Sequence, residues 1–207
     1  MNRRSTIRGR GRRGLFVAAA LLALLAPAGL AAEGPSWRLE KGDVKILVPL
    51  KPGGAFAATT TALTGTLTLE GAKPARLVGE ASMDLTTIDT GIALRNQHLR
   101  ENYLEVAKGD GFNKAVLSDI QLAEASGETF DGTTPFTGTM LLHGVKKPVA
   151  GTVEIHSEGT SRRVRAEFPL VLTDWGVTPP EYLGVGVGRR LLVKVTLTAT
   201  PVRPPAR

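Results

Sequence analysis

The feature that most constrains this chain is an alternation of apolar and polar residues with a period of two. Across residues 77–85, Leu77, Gly79, Ala81, Met83 and Leu85 share one parity, and Val78, Glu80, Ser82 and Asp84 share the other. Successive strand side chains point to opposite faces, so such a segment buries one face and wets the other. The pattern returns in residues 136–142 (Phe136, Gly138, Met140, Leu142 inward) and 149–155 (Val149, Gly151, Val153, Ile155). It returns again in 164–172 (Val164, Ala166, Phe168, Leu170, Leu172) and 191–197 (Leu191, Val193, Val195, Leu197). Shorter runs at 44–48, 55–61, 64–69 and 116–122 bring the total to eight or nine strands. Turn residues separate them at Lys51-Pro52-Gly53-Gly54, Gly71-Ala72-Lys73-Pro74, Asp131-Gly132, His143-Gly144 and Glu158-Gly159. Many short strands at this spacing predict an all-β, antiparallel sandwich or barrel. Pro169, inside a strand, predicts an edge, bulge or bend there.

One stretch departs from period two. Residues 92–106 lack Gly and Pro and place Ile92, Leu99, Tyr103 and Val106 near helical spacing. This predicts one helix between the third and fourth main strands, with Asp89 or Thr90 as its cap. Arg95 and Asn96 fall beside its apolar stripe.

Charge is unevenly distributed. Six Arg (Arg3, Arg4, Arg8, Arg10, Arg12, Arg13) precede an apolar run of eleven residues, 15–25. That run is short for a bilayer span and suits a signal-peptide core, with cleavage expected near Ala31. Residues 1–31 therefore read as a signal peptide. Arg12-Arg13-Gly14-Leu15-Phe16 also resembles a twin-arginine export signal. Residues 32–207 carry 20 basic and 19 acidic residues. The expected mature chain is thus near neutral, and nucleic acid is not an expected partner. The absence of Cys excludes disulfides, thiolate metal sites and thiol nucleophiles. The reading is of a periplasmic or secreted protein with no stable membrane insertion after the leader is removed. Residues 201–207, rich in Pro, read as a disordered tail.

Catalytic signatures are sparse. His98, His143 and His156 share no metal-ligand spacing, and no G-x-S-x-G elbow is present. Gly184-Val185-Gly186-Val187-Gly188 reads as a flexible turn, because it leads into a strand and not a helix. Arg162, Arg163 and Arg165 read as a solvated basic face. Neither a metal nor a cofactor is expected. Eight alternating strands can close around packed side chains or around one small apolar ligand. The inward Gly79, Ala81, Gly138, Gly151 and Ala166 either leave room for such a ligand or accommodate bends.

Three segments carry a resemblance. Residues 81–91, ASMDLTTIDTG, are followed by Leu94-Arg95-Asn96-Gln97-His98-Leu99; residues 137–149 read TGTMLLHGVKKPV; residues 172–177 read LTDWGV. In this order they resemble the YceI-like family, over roughly Trp37 to Ala199, with departures at Asn96 and Thr173. The resemblance implies a lipocalin-like eight-stranded antiparallel barrel, residues 32–200, with a helix over one side. It implies a polyisoprenoid or related amphiphilic lipid, such as a quinone, held in a hydrophobic tunnel, and no settled catalytic activity. On this reading Met83, Leu85, Met140, Leu142, Val153, Phe168, Leu170, Val193 and Val195 contact the chain. Arg95 and His98 form a polar rim, and the two departures would alter polar contacts there. Arg95 has a competing reading as a salt bridge to Asp84 or Asp89, and Trp175 reads as an apolar plug at one barrel end. Two other functions compete: an enzyme using Arg95, His98 and Asp89 as acid–base groups, and a stress-protective interaction module. A homodimer is compatible with any of them.

Overall fold

The computed structural model describes residues 34–71, 74–125, 127 and 129–202. The leader, 1–31, lies outside the described residues. Eight long strands form the body: β1 (Ser36–Lys51), β2 (Ala55–Glu70), β3 (Ala75–Asp84), β4 (Lys114–Leu122), β5 (Gly132–Leu142), β6 (Val145–Glu158), β7 (Ser161–Val171) and β10 (Arg190–Pro201). Each pairs antiparallel with the next, and β10 pairs with β1. Val44 of β1 lies opposite Thr60 of β2 on one side and Val195 of β10 on the other. The sheet thereby closes into a barrel, and the open edges that would invite strand addition are paired off.

β2 is one 16-residue strand, where the alternation suggested two. The polar run Thr59-Thr60-Thr61 hides the continuity, although Thr favours strands as strongly as aliphatics do. Pro169 occupies an edge in the local sense. β6–β7 pairing ends at Thr152 opposite Glu167, and Pro169 lies beyond it, facing Leu192 of β10. A 3₁₀ turn at Leu172–Trp175 follows. Its Trp175 is 3% exposed, with Nε1 donating to the Met140 carbonyl at 3.3 Å; it is buried as an apolar residue but does not border the interior cavity.

Between β3 and β4 lies the helix α1 (Ala93–His98), which widens into a π-helical turn over Leu99–Tyr103. It stops short of the expected Val106 because Glu105 adopts a left-handed conformation, φ 50°. The Glu105 carboxylate bonds His143 Nε2 at 2.9 Å and Lys108 Nζ at 2.7 Å. Lys108 chiefly, and His143 after it, hold this carboxyl below its usual range.

Two sequence expectations need correction. Residues 184–188 are not a flexible turn: β8 (Glu181–Tyr182) and β9 (Val185–Val187) make a hairpin whose second strand pairs with Leu50 and Lys51 at the end of β1. A side chain at Gly186 would meet the Pro180 carbonyl oxygen at 2.3 Å, so the glycine permits close strand approach. The expected tail begins too early. Pro201 pairs with Trp37, and the Val202 N–H donates to the Ser36 carbonyl at 2.8 Å, because β10 needs these residues to complete its ladder with β1. Residues 203–207 lie outside the described residues.

The inward glycines are explained by backbone crowding. A Cβ at Gly79 would sit 2.1 Å from the Thr66 carbonyl oxygen, and one at Gly151 would sit 2.3 Å from that of Glu167. Gly151→Ala should therefore lower stability by about 1–3 kcal/mol. Gly53→Ala, with no atom within 4 Å, should be nearly neutral. Urea unfolding midpoints of the two variants check this contrast.

Candidate functional site

The inward faces do not meet. They enclose a cavity of about 960 Å³, at the upper end of the roughly 300–1,000 Å³ typical of small-molecule sites. Its wall runs the length of the barrel. Trp37, Ile155 and Val164 line it near the β6–β7 turn, and Phe56, Ile92 and Val187 line it at the opposite end. β1 alone contributes wall from Trp37 to Lys51. At about 3.3 Å per residue, reduced by a barrel tilt near 40°, that is a tunnel of roughly 30–35 Å.

Met83, Leu85, Met140, Leu142, Val153, Phe168, Leu170, Val193 and Val195 all line this space. Their inward direction follows from period two. Ala81 and Ala166 line it as well, whereas Gly79, Gly138 and Gly151 do not. The small inward residues thus divide: alanines widen the bore and glycines relieve the backbone.

Arg95 and His98 stand at the mouth, on α1, where both border the cavity. Arg95 does not make the expected ion pair to Asp84 or Asp89. Its guanidinium lies 4.2 Å from the centroid of the Phe56 ring, a cation–π contact of about 0.5–1 kcal/mol when exposed. This contact ties the helix to β2 across the opening.

The helix has a polar seat that the sequence reading misassigned. Asn96 is buried, and its Oδ1 accepts from the Thr90 N–H at 2.8 Å and the Thr90 hydroxyl at 2.6 Å. Its Nδ2 donates to Asp89 Oδ1 at 2.7 Å, and the same oxygen accepts from the Gly91 N–H at 2.8 Å. Asp89 exchanges backbone hydrogen bonds with Thr59 of β2 at 2.8 and 2.9 Å. Arg100 completes the seat by donating to the Thr86 and Asn96 carbonyls at 2.7 and 3.1 Å. Asn96 and Thr173 do not border the cavity, so neither departure alters polar contacts at the rim.

This seat bears on the acid–base reading. Asp89 is absent from the cavity wall, and its Oδ1 is engaged by Asn96 and Gly91, so Arg95, His98 and Asp89 do not converge. The Asn96 amide first, then the Gly91 N–H and the Arg100 charge, hold the Asp89 carboxyl below its usual range. Among the described residues no group of three His, Asp or Glu could hold a metal.

Arg162 is a cavity residue that the sequence reading missed. Arg163 and Arg165 point outward to Glu158 and Glu154, at 2.6 and 3.3 Å. Arg162 is half-buried and borders the tunnel at the end away from α1. Its parity with Val164 was the available signal, masked by the surrounding arginines. The charged wall residues are then Lys51, Arg95 and Arg162, and among the described residues no carboxylate lines the cavity.

A family model, YceI-like domain, matches residues 44–199. The chain belongs to the YceI-like family. Two solved structures share the YceI-like barrel with it. One is a polyisoprenoid-binding domain from Saccharophagus degradans implicated in plant cell wall breakdown, with TM-score 0.58, 13% identity, and coverage of 82% of this chain and 99% of that one. The other is Burkholderia cenocepacia BcnA, with TM-score 0.59, 14% identity, and coverage of 76% and 96%. At these identities the likeness is one of fold. Among curated proteins none matches the chain.

The Asn96 seat makes a signed prediction for this YceI-like barrel. In Asn96→Asp the new carboxylate keeps the Thr90 bonds but faces Asp89. Stability at pH 7 should fall by roughly 1–3 kcal/mol. The wild-type contribution of Asp89 is present above its unfolded value, near 3.9, and is lost as pH falls through its lower folded value. Protonation also relieves the repulsion in the variant. The gap between the two proteins should therefore narrow from pH 7 to pH 4 in denaturant titrations.

Proposed function

We propose that this barrel binds a polyisoprenoid or related amphiphilic lipid chain in its tunnel, serving in transport, storage or sequestration outside the cytoplasm. One observation carries the reading: a tunnel of about 960 Å³ walled almost entirely by aliphatic and aromatic side chains. Each methylene moved from water into such a wall contributes about 0.8 kcal/mol, so a long chain needs few polar contacts. The polyisoprenoid-binding Saccharophagus degradans domain of the same fold supports the choice of chain. The cationic wall residues, Lys51 and Arg95 at the mouth and Arg162 at the far end, suit a polar terminus that is neutral or anionic. The failure of Arg95, His98 and Asp89 to converge favours binding over acid–base chemistry.

Solvent extraction of the purified protein followed by mass spectrometry should recover an isoprenoid lipid, and the emptied protein should take up added geranylgeraniol. Ala166→Trp, which places an indole in the bore, should weaken uptake at least tenfold while leaving the circular dichroism spectrum unchanged. A protein that neither carries nor takes up such a chain contradicts the reading.

Export rests on the leader. Fractionation should find the protein in the periplasm, and converting Arg12 and Arg13 together to Lys should retain it inside if the twin-arginine route is used. An unprocessed, wholly cytoplasmic wild-type chain would contradict export.

A further inference from the structure

Exposed apolar side chains are concentrated at one end of the barrel. Of the eight large hydrophobic residues that are exposed among the described residues, six surround the mouth: Leu50, Ile92, Leu94, Tyr182, Leu183 and Val185. They come from three elements, the end of β1, the start of α1 and the β8–β9 hairpin, which β9 fastens to Leu50 and Lys51. Leu183 at the hairpin tip is 85% exposed and Tyr182 78%. Leu50, Ile92, Leu94 and Val185 also border the cavity, so the apolar wall continues out of the tunnel onto the outer rim. Scattered surface aliphatics need no explanation, but a cluster around an opening does.

The charges among them favour one sign. The rim segments 50–51, 89–101 and 181–190 carry Lys51, Arg95, Arg100, Arg189 and Arg190 against Asp89, Glu101 and Glu181. Glu181 is already paired with Lys51 and feels Arg189 as well. Long basic side chains around protruding Tyr and Leu suit the boundary between anionic headgroups and acyl chains. A second copy set rim to rim would oppose like charges.

We propose that this rim docks on an anionic lipid bilayer, so that cargo passes between membrane and tunnel without crossing water. The proposal rests on the tunnel's being a lipid site, and it adds where and how the lipid is exchanged.

The test uses residues 32–207, because the apolar leader would itself partition into lipid, and the described residues of this unit close the barrel by themselves. The wild type and a Tyr182→Ser/Leu183→Asp variant are floated with vesicles of phosphatidylcholine alone or with one-third phosphatidylglycerol. Neither substituted residue borders the cavity. The wild type should float with the anionic vesicles and be released by high salt, and the variant should lose at least tenfold of the bound fraction. Uptake of solubilised geranylgeraniol should be equal in both. Three results would overturn docking: a wild type that stays unbound at low salt, equal flotation of wild type and variant, or a dimer in light scattering that Leu183→Asp dissolves. Absence of geranylgeraniol uptake in both proteins would instead overturn the lipid-site reading, and the flotation result would stand separately.

Discussion

The pairing of β10 with β1 is the interaction on which the other features depend. Once these strands pair, eight inward faces must share one interior. An eight-stranded barrel is only just wide enough for its side chains to fill or for one small ligand to occupy. Here the inward set is dominated by Leu and Val, and it leaves the interior partly open. Closure therefore produces both the stability of the sheet and the volume within it. An unclosed sheet of the same sequence would be free to fold its two halves together and lose the space.

The mouth is governed by a different kind of force. Hydrophobic contact is non-directional and would not by itself fix a six-residue helix across an opening. The hydrogen bonds of Asn96, Thr90, Asp89 and Arg100 supply the direction, and Phe56 beneath Arg95 supplies a second tether. The residues of the stretch 81–91 that look most like a chemical motif are spent on this attachment. Asp84 illustrates it: its Oδ1 accepts from the Thr86 N–H at 2.9 Å and caps the 3₁₀ turn Leu85–Thr87.

Much of this was legible in the sequence because a strand's parity is a local property. Met83, Met140, Val153, Phe168 and Val193 reveal their direction through their immediate neighbours. The features that stayed hidden depend on what lies across the sheet. Whether Gly151 enlarges the bore or avoids Glu167 is decided by β7. Asn96 beside Arg95 on a helix gives no hint that one residue is buried against Thr90 and the other spans to Phe56. The β8–β9 hairpin was obscured because alternating Gly and Val over five residues carries little pattern, and its partner is the distant end of β1.

The chain contains three methionines and no cysteine, and two of those methionines, Met83 and Met140, lie in the tunnel wall. The interior therefore holds thioether sulfur and no thiol. Conversion of either to the sulfoxide would place a strongly polar oxygen in a hydrocarbon-lined bore. Oxidative damage to this molecule would thus fall on the apolar character of its interior, with no thiol of its own to react in their place.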